Sequence, residues 1–470
     1  MLTEFHIGID DTDSRKGGCT TYTAALLVGE LWKNGFTPAD FPWLVRLNPN
    51  IPWKTRGNGA LAIHLRVEEE SLGEIKKIAL EIVRKTTDHS IPSTDPAVVF
   101  LEGKIPEELT NFSSKAVHDL IRVGEARTVS RKVNAEPHLF KGSRGLVGAL
   151  AAIGPDLIRD CTFEIIAYRT GKYVGTPRRV DAASVEEMDS KFQDRTFNNL
   201  DPQTGRVLIC PHGPDPVLFG IRGEDPLSLL EAFREVRVRE PIERVMMFRT
   251  NHGTDAHLGV LRNVGSLQTY QSAVVKGRVE TFPRVLRGGH IIFRLSDCTG
   301  FIDCAAYEPT GSFRRRVQEL IPGDRVKALG GVRRISSGRL TLNLEKLEVL
   351  ELAEDVRWEN PRCVQCNRRC ESMGRNQGYR CRRCGLRYPK NSAIFVVTNR
   401  PLKQMLYIPP PRANRHLTKP TSRYNPQRTH RTTMQKDMWK GKWNYPSSGS
   451  EHLFILENLL KRAKSGELSV

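Results

Sequence analysis

Two Cys-x-x-Cys pairs, Cys363 with Cys366 and Cys381 with Cys384, stand fourteen residues apart, a spacing that leaves little choice of fold around them. Two such knuckles bring four thiols to one point. Clustered thiolates repel one another unless a metal binds them, so a tetrahedral Zn²⁺ ribbon is expected over 357–392. Cys370 lies outside both pairs and is expected to be a spectator, with a competing ligand as the alternative. Neither pair sits in a thioredoxin-like setting, which argues against redox chemistry. The ribbon carries Arg368, Arg369, Arg382 and Arg383 with Tyr379 and Tyr388 interleaved, residue types suited to phosphate and base contacts.

The charge is as unevenly placed as the cysteines. Of a net +19, residues 357–443 hold 21 Lys/Arg against 3 Asp/Glu, or +18, and the other 383 residues carry about +1. A near-neutral body with one basic arm most simply meets nucleic acid; an anionic membrane surface or a ribosome is the blander partner. Beyond Pro409-Pro410-Pro411 the arm continues through Arg412, Arg415 and Lys419, a turn-rich segment expected to order only on its polyanion. Residues 425–450 read as disordered and Glu451–Lys464 as a terminal helix. No apolar run approaches a membrane span and no signal peptide precedes the first strand. The other five cysteines are scattered as reduced thiols would be. A cytoplasmic protein is expected, monomeric or weakly oligomeric.

The most chemical stretch lies at the opposite end. Phe5–Ile9 reads as a short buried strand and runs directly into Asp10, Asp11 and Asp13. Adjacent acids at a strand end repel, so a cation must offset them, and Mg²⁺ on substrate phosphates is the usual one. Ser14 and the Gly17-Gly18 turn follow, then Thr20 or Thr21 as cap of a helix over Thr21–Lys33. A Gly-rich turn at a helix N-terminus cradles phosphate. An ordinary Asp/Ser turn with a threonine cap is the alternative. No G-x-x-x-x-G-K-[ST] occurs, so this is not a Walker loop.

Strands at Trp43–Leu47 and Ala60–Val67 and a helix at Ser71–Thr86 complete residues 1–90. Between the two strands, 48–59 is a loop by its prolines and Gly-Asn-Gly. There Lys54 and Arg56, on a Gly-rich loop, are placed to grip phosphates as a point charge and a fork, or else form a solvated basic loop. The α/β pattern runs on to 195, with a strand at Ala97–Leu101, a helix at Pro106–Arg122 and a second possible anion site at Lys141 and Arg144. The small-residue run Leu146–Ile153 suits a helix packed closely on a sheet. A ferredoxin-like unit is expected over 196–268. It ends in the polar cluster Arg249–His257, whose Asp255, His252 and His257 suit a metal, a cationic ligand or a hydrogen-bonded turn. Over 269–353, five short strands with a helix between the third and fourth give the order of an oligonucleotide-binding barrel. Residues 393–470 form the basic tail.

Gly8-Ile9-Asp10-Asp11-Thr12-Asp13, Cys19-Thr20-Thr21-Tyr22, Arg46-Leu47-Asn48-Pro49, Lys54-Thr55-Arg56-Gly57-Asn58-Gly59 and Thr250-Asn251-His252-Gly253-Thr254-Asp255-Ala256-His257 form a specific set. On these residues the chain resembles the archaeal tRNA(Ile) 2-agmatinylcytidine synthetase family from near residue 1 to about 424. The last 46 residues fall outside the resemblance. The resemblance implies a kinase-like α/β catalytic domain over 1–195, then the ferredoxin-like domain, the barrel and the zinc ribbon.

It also implies an ATP-dependent ligase that joins agmatine to C2 of the wobble cytidine of a CAU-anticodon tRNA(Ile). The product, agmatidine, pairs with A, so the tRNA reads AUA. Because the C2 oxygen leaves poorly, the family phosphorylates it and the amine displaces the phosphate; ATP ends as AMP with phosphate or pyrophosphate. On this resemblance Asp10, Asp11 and Asp13 hold Mg²⁺ and ATP, and Thr20 is autophosphorylated. Lys54, Arg56 and Asn58 clamp phosphates, with Ser14, Gly17, Gly18, Thr21 and Gly57 around them. Asp255, flanked by His252 and His257, is the acid for agmatine, and barrel, ribbon and arm hold the tRNA. The competing class is a non-enzymatic single-strand nucleic-acid binder built on barrel and ribbon. Such a protein needs neither the aspartate cluster nor the Lys54–Gly59 loop.

Overall fold

The computed structural model describes residues 1–424; the disorder and terminal helix expected beyond that point lie outside the described residues. The N-terminal body opens with β1 (Leu2–Asp10), α1 (Thr20–Lys33), β2 (Trp43–Arg46), β3 (Gly59–Glu68), α2 (Leu72–Thr86) and β4 (Ala97–Glu102), close to the elements expected. Next come α3 (Glu107–His118), α4 (Val123–Lys132), β5 (Glu136–Leu139), α5 (Gly145–Ile153), β6 (Thr162–Arg169) and α6 (Ala182–Phe192). The helix expected over Pro106–Arg122 stops at His118, and a second helix, α4, starts only at Val123. Asp119 is extended at φ −113° and ψ 166°, its carboxylate held by Arg262 at 2.8 Å, so the chain turns there. Strand β5 contains Pro137, which is tolerated because β5 is a sheet edge.

The body closes with β7 (Thr196–Phe197), β8 (Val217–Gly223), α7 (Pro226–Glu235) and β9 (Ile242–Thr250). Among the described residues these strands share one nine-stranded sheet in the order β5-β4-β1-β3-β2-β9-β6-β8-β7. The seam is the parallel β2–β9 pairing, with Trp43 opposite Arg249 and Leu44 opposite Thr250. Strand β6 lies between β9 and β8, so the strand–helix–strand unit expected after residue 196 has its central partner before it. One apolar core fills the α1/α2 face, with Ile7, Ile9, Leu27 and Ile63 fully buried; the other lies under α3–α7. The small residues of α5 let it pack directly on β1.

The barrel comprises β10 (Ser272–Val279), β11 (Arg284–Val285), β12 (Ile291–Asp297), β13 (Gly300–Ala306), α8 (Ser312–Gln318), β14 (Arg325–Arg334) and β15 (Leu340–Glu351). Pairings β10–β14, β14–β15, β15–β13, β13–β12 and β12–β10 close it, with the helix between third and fourth main strands as the sequence order predicts. A stalk leads away from the barrel along β16 (Asp355–Glu359) and carries the ribbon strands β17 (Glu371–Ser372), β18 (Tyr379–Arg380) and β19 (Arg387–Tyr388). Strand β20 (Ile394–Thr398) then returns antiparallel to β16.

After β21 (Leu406–Tyr407) adds to β15, residues 411–424 lie back across the body as a strap. Arg412 pairs with Asp201 at 2.8 Å, Arg415 with Glu345 at 3.0 Å, and Arg423 with Glu224 at 2.8 Å. The segment expected to order only on a polyanion is therefore ordered within the chain. Its cations find carboxylates on the ferredoxin-like unit and the barrel.

Candidate active site

At the C-terminal end of β1 the chain turns through Asp11, which adopts a left-handed φ of 57°. Asp10, Asp11, Asp13, Thr20, Thr21, Lys54, Arg56, Gly57 and Asn58 all line one cavity of about 530 Å³. Its far wall is Leu120, Ile121, Val123 and Val147, apolar side chains at the α3–α4 break and on α5. Ser14, Gly17 and Gly18 form the adjoining turn: Ser14 N donates to Gly17 O at 2.8 Å, and Gly18 O accepts from Arg56 at 2.9 Å.

Each acid has its own environment. Arg144 donates to Asp11 at 2.8 Å and Arg56 donates to Asp13, whereas Asp10 has no lysine or arginine within ion-pairing distance among the described residues. Burial, then the neighbouring Asp11, pushes the Asp10 carboxyl well above the usual carboxylate range. Burial lifts Asp11 to about 6 despite Arg144, and it also raises Asp13. Gly148 on α5 makes room for Asp10; a Cβ there would come within 1.9 Å of the Asp10 carboxylate.

Neither Thr20 nor Thr21 caps α1. Both threonines already lie in the first turn, and the N-cap is Cys19, which makes no side-chain cap bond. The Thr21 hydroxyl instead meets Cys19 Sγ at 3.0 Å, and the buried Thr20 hydroxyl has no hydrogen-bond partner among the described residues. Arg56 is braced from behind by Asp215, at 3.8 Å, which is itself held by Arg178 at 3.1 Å.

Lys54 donates to Pro49 O. Burial, with Arg415 and Arg333 nearby, lowers its ammonium to about 8. Asn58 donates to Asn48 O at 2.8 Å, and Asn48 donates to Tyr270 O at 2.8 Å, so the phosphate-type loop is bolted to the entrance of the barrel. The second anion site expected at Lys141 and Arg144 is filled internally. Asp95 accepts from the amides of Gly142 and Arg144, and Arg144 turns to Asp11.

The cluster expected to receive agmatine lies elsewhere, at the junction of body, barrel and strap. Asp255 takes the buried Lys346 ammonium at 2.5 Å and accepts from Lys419 N at 2.7 Å and Tyr424 OH at 2.7 Å. His257 Nε2 meets Glu345 at 2.7 Å. His252 is buried beside Glu164, at 3.6 Å, and burial pushes it down to about 3. None of the three lines the cavity.

Cys363, Cys366, Cys381 and Cys384 converge with their sulfurs within 4.8 Å of one another; among the described residues no other His, Cys, Asp or Glu cluster does so. Cys370 stands outside that set, its backbone tied to Pro361 and Asn360. Arg368, Arg369, Arg382 and Arg383 are exposed on the ribbon, Arg369 touching Glu359 and Arg382 touching Glu371. Arg412 and Arg415 are in the strap pairs described above, and Lys419 reaches Asp160 at 3.4 Å.

Five further contributors, Arg46, Arg178, Asp215, Gly148 and the Asp119–Val123 wall, have no role assigned by the sequence. Arg46 is visible there within a motif. Gly148 lies in the small-residue run Leu146–Ile153, and Arg178 and Asp215 come from distant segments that carry no local pattern.

Family models match residues 6–140 (TiaS TCKD domain), 143–257 (TiaS FLD domain), 273–350 (OB-fold nucleic acid binding domain) and 360–402 (TiaS C-terminal zinc ribbon domain). The tRNA(Ile) 2-agmatinylcytidine synthetase TiaS of Thermococcus sibiricus is 43% identical over 419 residues, 89% of this chain and 96% of that protein. Its counterpart from Pyrococcus horikoshii is 43% identical over 88% of this chain and 96% of its own length. A crystal structure of TiaS in complex with its isoleucine tRNA and ATP superposes with a TM-score of 0.80 at 38% identity, covering 89% of this chain and 97% of that one. A complex of TiaS with the same tRNA, AMPCPP and agmatine gives 0.79 at 36% identity, covering 90% and 98%. On identity sustained over 89% of its length, in the same domain order, the chain belongs to the tRNA(Ile) 2-agmatinylcytidine synthetase family.

Proposed function

We propose that this protein is an ATP-dependent ligase that joins agmatine to C2 of the wobble cytidine of CAU-anticodon tRNA(Ile), forming agmatidine. The observation that carries the proposal is the shared cavity, in which three aspartates, a partnerless threonine hydroxyl, Lys54 and Arg56 meet. Its volume of about 530 Å³ is that of a nucleotide-sized ligand site. A passive single-strand binder has no use for these groups.

Mg²⁺ would be held at Asp10, a buried carboxyl with no lysine or arginine in ion-pairing distance among the described residues, while Arg144 and Arg56 occupy Asp11 and Asp13. Bound there it would neutralise phosphate oxygens. The chain's own groups do the positioning. Arg56, fixed between Asp13 and Asp215, presents a fork, and Lys54 a point charge, to the phosphate oxygens. Thr20, in the first turn of α1, offers its hydroxyl as phosphoryl acceptor at the positive end of the helix. Phosphorylation of the cytosine C2 oxygen turns it into a leaving group that the agmatine amine displaces. The apolar wall at Leu120–Val147 gives the flipped base a surface.

The four-cysteine site would hold Zn²⁺ structurally and keep the ribbon's arginines against tRNA. No helix among the described residues is long and apolar enough to cross a membrane. On this reading the enzyme works with its tRNA in the cytoplasm, as a monomer or weak oligomer.

Single-turnover reaction of CAU-anticodon tRNA(Ile) with ATP and labelled agmatine tests this. Label enters the tRNA with wild type and is lost with Asp11→Asn and Thr20→Ala. Tight tRNA binding without label under any condition would leave only the binder.

A further inference from the structure

Trp53 stands at the mouth of the catalytic cavity with 55% of its surface exposed, the only Phe, Tyr or Trp so exposed before residue 282 among the described residues. Its neighbour is Tyr270, with ring centroids 6.3 Å apart and planes tilted by 54°. Tyr270 adopts a left-handed φ of 71°, a conformation that bulky side chains avoid and that persists only where surrounding contacts impose it. Those contacts are present: Tyr270 O accepts from Asn48 at 2.8 Å and Tyr270 N donates to Val332 O at 2.9 Å. The Arg333 guanidinium lies 5.2 Å from the Tyr270 ring and bonds Asn50 O. Arg333, Arg415 and Lys54 crowd the same few carbonyls, and only Arg415 has a carboxylate partner among the described residues, Glu345. An exposed ring beside a strained ring and under-compensated cations is what a single-stranded nucleotide needs: a stacking surface and a seat for its phosphate.

We propose that Trp53, supported by Tyr270 and Arg333, binds the nucleotide adjacent to the target cytidine, stacking its base at the cavity mouth while Arg333 takes its phosphate. This rests on the tRNA-modifying reading above and adds the residues that hold the loop beside the flipped base. Stacking on Trp53 pins one neighbour while the target enters the cavity. Tyr270 and Arg333 act as positioning residues for Trp53 and for the phosphate.

The test is steady-state agmatine incorporation by full-length Trp53→Ala, Trp53→Phe and Tyr270→Gly, the last relieving backbone strain while removing the ring. The substrates are CAU-anticodon tRNA(Ile), intact or abasic at one nucleotide flanking the target. Trp53→Ala should raise the tRNA KM about ten-fold and leave the ATP KM unchanged, with Trp53→Phe restoring most of the loss. One abasic tRNA should cost wild type a similar factor and cost Trp53→Ala nothing further. An unchanged tRNA KM in Trp53→Ala and Tyr270→Gly, or losses from variant and abasic site that multiply, would overturn the proposal. Absence of modification by wild type would instead remove the functional reading beneath it.

Discussion

His416 lies over Gly57 so closely that a methyl group on that glycine would meet the imidazole Cδ2 at 2.5 Å. The same strap sends Arg415 to Pro49 O at 2.8 Å, and His416 packs edge-on against His252 at 4.9 Å. The strap therefore closes the back of the 48–59 loop, and residues far apart in sequence set the loop's position together.

Gly57→Ala should force the strap and the loop apart. Overpacking of this kind costs about 2 kcal/mol. We expect a lowered Tm and an ATP KM raised about ten-fold, read by thermal denaturation and steady-state kinetics. Wild-type values for both would show that the contact is slack.

Asp215 is buried and reaches the reaction only through Arg56. Asp215→Asn should let the guanidinium drift. Misplacement by about an ångström costs on the order of 100-fold in turnover. The loss should fall mainly on kcat, with tRNA affinity and zinc content retained; an equal loss of tRNA binding would point to a folding defect instead.

Lys54 supplies a pH dependence. Burial, Arg415 and Arg333 lower its ammonium from 10.5 to about 8. In the free enzyme its charge is present below pH 8 and lost above, so ATP KM should rise about ten-fold per unit above pH 8. Lys54→Arg should flatten that rise. For folding the sign is opposite: between about 8 and 10.5 the unfolded chain binds a proton that the folded chain has released, so Lys54 relieves its destabilisation as pH rises through that window.

Removing the ribbon's metal should uncouple tRNA holding from chemistry. Chelation, or Cys381→Ser, should release one zinc per chain by metal analysis and unfold the ribbon, whose buried core is little beyond its own cysteines. The tRNA KM should rise at least ten-fold while ATP binding persists. Cys370→Ser should retain the zinc, since Cys370 stands outside the converging set.

Arg169, at the end of β6, and Glu240, just before β9, form an ion pair with both side chains fully buried, 2.6 Å apart. Glu240→Gln leaves a buried guanidinium without its charge partner and should cost roughly 3–5 kcal/mol. Denaturant unfolding measures it, and a loss under about 1 kcal/mol would mean that the Thr176 and Pro177 carbonyls suffice for Arg169.

Local pattern determined a large share of this protein. Short alternating apolar runs with a helix between the third and fourth predicted the barrel, the Cys-x-x-Cys spacing placed the ribbon, and the acid-ended strand with its Gly-rich turn pointed to the candidate site. Each is set by covalent neighbours, through side-chain alternation, ligand spacing or charge repulsion, and so is written into a short stretch. Tertiary structure alone decided where the unpaired groups went. Strand β6 became the link between β9 and β8 in a sheet assembled from both halves of the body. Asp255 met Lys346 of the barrel, Asp95 filled the amides beside Arg144, and the strap's arginines found Asp201, Glu345 and Glu224. A buried charge needs a partner, but nothing in its own segment says which distant one will arrive.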